Sequence, residues 1–70
     1  MKAFCREDKG SGFYHIKEKD TYYSIIYDTN RKKVIISTII TEEAFNEKIE
    51  DKKSVEEDEV PQAVINKIRN

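Results

Sequence analysis

The sequence has no tryptophan and only one cysteine, one histidine, one proline and two glycines in 70 residues, so few of the usual supports of a small fold are on offer. A single cysteine excludes an internal disulfide, and Cys5 with His15 falls short of the four ligands of a structural zinc site. Chains of this size bury only about 60% of the surface their unfolded form exposes. They often draw on a disulfide, a metal or oligomerisation for the remainder. Self-association is the support that is left.

Long apolar runs are missing as well. No stretch approaches the roughly 18 consecutive apolar residues of a membrane helix, and Met1 to Gly10 has no apolar core of signal-peptide length. Together with a lone thiol, this leads us to expect a protein of the reducing cytosol. Neither sign of charge dominates: charged residues make up 39% of the chain and the net charge is -1. Residues 1 to 40 hold eight Lys/Arg against five Asp/Glu, and residues 41 to 70 hold five against nine. That asymmetry is too modest to signal a nucleic-acid binder on charge alone.

Motifs of catalysis and cofactor binding are also lacking. Both glycines fall in "DKGSG" between two strand-like runs, whereas a phosphate-cradling loop joins a strand to a helix. His15 is the only imidazole, and no orienting acid or oxyanion donor accompanies it in the pattern. Cys5 lies in an alternating run and reads as a small buried strand residue rather than a nucleophile. We expect no catalysis, no metal and no cofactor. The run Arg31 to Lys33 is shorter than a useful basic motif and reads as a soluble hairpin tip.

What is present is strand periodicity. "KAFCRED", "FYHIKEK", "TYYSIIYD" and "KKVIISTII" are separated by short turn-forming segments, with Asn30 best suited to a left-handed backbone. Connections this short predict a four-stranded antiparallel meander over residues 1 to 40. Hairpin loops at Lys19-Asp20 and Asn30-Arg31 set Tyr14 opposite Ile25 and Ile25 opposite Ile36. One face then reads Ala3, Cys5, Tyr14, Ile16, Tyr23, Ile25, Tyr27, Val34, Ile36 and Ile40, and is the expected core. A bulge in any hairpin would flip the residues beyond it.

The opposite face is mixed, and it raises the functional question. Phe4, Phe13, Tyr22, Ile26, Ile35 and Ile39 are interleaved there with Arg6, His15 and Lys17. Aromatics with arginine suit an interface between protein copies. The same ingredients suit a platform that stacks bases and neutralises phosphates. A third arrangement sends one helix to each face.

After Ile40 the period changes. Thr41 reads as the cap of a helix over 41–53, with Glu42 and Glu43 in its first turn and Phe45 and Ile49 as a narrow apolar stripe. Residues 54–59 read as an acidic connector, although Ser54 and Glu57 match a capping box. Pro61 opens a second helix over 60–69 carrying Val64, Ile65 and Ile68. The expectation is a single α+β domain, noncatalytic and cytosolic, that works through protein contacts and forms a homodimer. The alternative is weak binding of single-stranded nucleic acid through the mixed face.

Overall fold

A computed structural model describes residues 1–69 and shows an α+β fold. Four antiparallel strands follow one another: β1 (Lys2–Asp8), β2 (Ser11–Glu18), β3 (Thr21–Asp28) and β4 (Lys33–Ile40). Helix α1 (Glu42–Lys48) and a 3-10 turn (Ile49–Asp51) lead to a short fifth strand, β5 (Lys53–Val55). A second 3-10 turn (Glu57–Glu59) precedes helix α2 (Gln62–Arg69). The sheet order is β4-β3-β2-β1-β5, so β5 adds an edge that the meander reading lacks.

Turn chemistry fixes the first registers. Lys9 and Gly10 both have positive φ (49° and 82°), the combination a tight two-residue hairpin needs, and Lys19 takes φ 56° in the next. Cys5 therefore faces Tyr14, Tyr14 faces Ile25 and Ile16 faces Tyr23, as the alternation predicts. In the third hairpin Lys32, not Asn30, takes the left-handed step (φ 55°). The carboxylate of Asp28 accepts the N–H groups of Asn30 and Arg31, which holds the start of that loop in place.

The expected pairing of Ile25 with Ile36 is wrong. Tyr27 does oppose Val34, but a bulge leaves Ile35 unpaired and sets Ile36 against Ile26. One extra residue moves every later side chain to the other face. Ile25 faces Ser37, Tyr23 faces Ile39 and Tyr22 faces Ile40. Ile36 and Ile40 thus leave the expected core face, and Ile39 leaves the mixed one.

The helices split between the two faces. On one side α2 lays Val64, Ile65 and Ile68, with Val60, over Ala3, Cys5, Tyr14, Ile16, Ile25 and Tyr27. Ile16 and Val64 are fully buried in this core and Ile25 is 1% exposed. The Tyr14 ring meets Tyr27 edge-on at 6.3 Å and lies so close over Gly12 that a Cβ there would approach it to 2.7 Å. The Pro61 carbonyl accepts from the backbone of Val64 and Ile65, which starts α2 where the proline suggested. Arg69 closes its other end, bonding Glu18 at 2.6 Å and Glu57 at 2.9 and 3.1 Å.

The other side of the sheet is covered by α1. Thr41 caps it by accepting the Ala44 N–H at 3.1 Å. The helix stops at Lys48, earlier than the stretch to residue 53 that the sequence suggested, because Lys53 to Val55 pair with β1 instead. The acidic stretch is also more ordered than a plain connector. Glu56 and Glu59, rather than Ser54 and Glu57, form the capping box, since Ser54 is held in β5 opposite Phe4.

Candidate functional site

The residues expected to form one interaction surface have divided into three groups. Phe4 and Tyr22 are no longer free: Phe45 packs against them at centroid distances of 5.9 and 5.0 Å and is itself 4% exposed. Lys17 lies over the Tyr22 ring at 5.5 Å. These side chains are the seat of α1.

Beside that seat an open groove of about 580 Å³ separates the sheet from the end of α1. Its floor is Phe13, His15, Ser24 and Ile26, and its wall is Lys48 with Glu50, Asp51 and Lys52. Arg6 lies over Phe13 at 5.7 Å and pairs with Asp51 at 2.9 Å. The ammonium of Lys52 donates to the Lys48 carbonyl at 2.7 Å and to Asp51 at 3.0 Å. Both cations converge on one carboxylate.

His15 is 6% exposed, with Nε2 in a 3.0 Å hydrogen bond to Ser24 Oγ. Its Nδ1 finds no partner among the described residues. Burial, reinforced by Lys52 and Lys48 and opposed by Asp51, pushes its pKa down to about 4. An imidazole held neutral in this way is a weak base, and its free Nδ1 lacks the acceptor that orients a catalytic histidine. Burial also pushes the Cys5 thiol up and so disfavours the thiolate, an effect partly offset by the hydrogen bond with Tyr14.

The third group lies at the sheet edge. Ile35 and Ile36 are each 51% exposed and Ile39 is 72% exposed, all on β4. One side of this eight-residue strand pairs with β3, and the opposite edge of the sheet is the three-residue β5. From Val34 to Ile40 the strand carries no charge and no proline. Natural sheets guard such edges with charges, prolines, brevity or bulges, and over that run β4 has only the bulge at Ile35.

Reading the two faces separately hid this edge. Its signal in the sequence was the apolar character of both faces of "KVIISTII", and Ile36 and Ile39 stay exposed on opposite faces. Among the described residues no helix is long and apolar enough to cross a membrane, and no group of three or more His, Cys, Asp or Glu could hold a metal ion. No known protein family, curated protein or solved structure shows significant similarity to the chain.

Proposed function

We propose that this is a noncatalytic protein of the cytosol that acts through protein contacts, and that its partner is a second copy of itself. The observation that carries the reading is the bare β4 edge with Ile35, Ile36 and Ile39 in solvent. An exposed strand edge presents unpaired N–H and C=O groups, and pairing them while covering the isoleucines uses hydrogen bonding and apolar burial together. The site of association is the edge strand, not the whole mixed face.

The nucleic-acid alternative needs Phe4, Phe13 and Tyr22 as a stacking platform. Phe45 is seated on two of those rings and Arg6 lies over the third. That favours the protein contact.

Sedimentation equilibrium tests the reading. The protein is expected to be dimeric at micromolar concentration, and Ile36→Lys is expected to move it to monomer by placing a charge in the contact. A wild-type chain that stays monomeric at millimolar concentration overturns the proposal. Single-stranded oligonucleotide that shifts the NMR signals of Phe13 and His15 at low salt would favour the alternative.

A further inference from the structure

Resting on that self-association, we infer that β4 pairs antiparallel with β4 of a second copy about a two-fold axis through Thr38, with a charge clamp at each end of the joint. The strand is flanked by charges of opposite sign: Arg31, Lys32 and Lys33 precede its apolar run, and Glu42 and Glu43 follow it. All five side chains belong to exposed residues. Parallel alignment would stack the cations of both copies at one end and the acids at the other. Antiparallel alignment brings each basic end to the acidic end of the other copy, so the charges select direction.

Symmetry and the bulge select the register. Two antiparallel edges in one continuous sheet are related by a two-fold axis perpendicular to it, which keeps each residue on its own face. A residue must therefore sit opposite its own copy at the centre. The bulge at Ile35 interrupts the alternation, which is regular from Ile36 to Ile40. The centre of that regular stretch is Thr38. Thr38 then faces Thr38 of the second copy, a favourable cross-strand pair, while Ile36 faces Ile40 and Ser37 faces Ile39. Past the bulge, the Lys32–Lys33 end of one strand comes to the Glu42–Glu43 start of α1 in the second copy.

The joint is closed. The other sheet edge is only Lys53–Val55, and a charged residue, Lys53 or Glu56, stands at each of its ends. A molecule with one edge able to pair makes a dimer and no fibre.

Reciprocal charge reversal tests the register. One variant carries Lys32→Glu with Lys33→Glu, the other Glu42→Lys with Glu43→Lys, both checked for folding by circular dichroism. Alone, each is expected to self-associate at least about tenfold more weakly than wild type at low salt, because attraction becomes repulsion at both clamps. Mixed, they are expected to form a heterodimer in excess over either homodimer, seen by native mass spectrometry, since each then meets its opposite. As an independent measure, spin labels on Thr38→Cys are expected to broaden each other in the dimer, with Cys5 buried and unlabelled. Variants that dimerise like wild type and mix at random, with narrow Thr38 spectra, overturn the clamp and register while self-association stands. A monomeric wild type overturns both.

Discussion

The two faces of one sheet solve the burial problem differently. Beneath α2, aliphatic and tyrosine side chains from four successive strands close over Ile16, Ile25 and Val64, which are at most 1% exposed. Beneath α1, a single aromatic, Phe45, seats between Phe4 and Tyr22, and the adjoining ground is a buried histidine and an open groove. The difference follows from what each helix carries. α2 offers Val64, Ile65 and Ile68 within eight residues, whereas in the seven residues of α1 the one large apolar side chain is Phe45. A sheet this small is held mainly from one side.

The sharpest way to break this contrast is Ile25→Ala. It empties a site closed on every side, so the cost is expected near the upper end of about 2 to 5 kcal/mol, enough to unfold much of so small a domain. Ile36→Ala, which the simple register would have made its partner, is expected to leave the stability of the monomer within about 0.5 kcal/mol. Equal losses for the two in urea unfolding at low protein concentration would show the bulge to be misplaced.

Phe45→Ala probes the other face. Phenylalanine truncations in cores cost about 3 to 5 kcal/mol, but a seven-residue helix held by one plug can undock without unfolding the sheet. The docking of α1 is therefore expected to weaken by about 2 to 3 kcal/mol, with amide exchange accelerated most across α1. Uniform acceleration across the molecule would place α1 in the same cooperative unit as α2.

A further effect is one of pH. His15 has a folded pKa of about 4 against an ordinary 6.5, so the unfolded chain takes up the proton first as pH falls. Its contribution is complete above pH 6.5 and is lost progressively as pH drops toward 4. The loss is expected to be about 2 kcal/mol, below the full linkage value because a groove lies beside the ring. The carboxylates with depressed pKa, Glu18, Asp28, Asp51 and Glu57, lose their pairing at lower pH, below their ordinary range, and Asp51 is the one that faces this groove. His15→Leu should flatten stability between pH 6.5 and 4.5 and leave the steeper acid limb. A variant with the wild-type slope in that window would remove His15 as its source.

Much of this architecture was legible residue by residue. The alternation in β1, β2 and β3 and the short loops between them placed Cys5, Tyr14, Ile16 and Ile25 on one face, and Pro61 with Val64 and Ile68 marked α2. The candidate surface was legible in composition but not in location. Phe4 and Tyr22 look identical to contact residues until Phe45 is seen above them, and Ile39 changes face with a bulge that no residue type in β4 announces. β5 was hidden for a different reason: "KSV" has no strand signature, and it becomes a strand because β1 offers it an edge.

What the order of residues determined by itself was local: the identity of the first four strands, hairpin register through β3, the polarity of charge along the chain, and the want of an internal disulfide. These depend on side-chain period and on turn residues a few positions apart. The tertiary structure alone decided which helix covers which face, where the sheet gains its fifth strand and which edge stays bare. Each of those outcomes rests on pairings between residues far apart in the chain, Ser54 with Phe4 and Phe45 with Tyr22, whose free energy depends on what the rest of the fold has already buried.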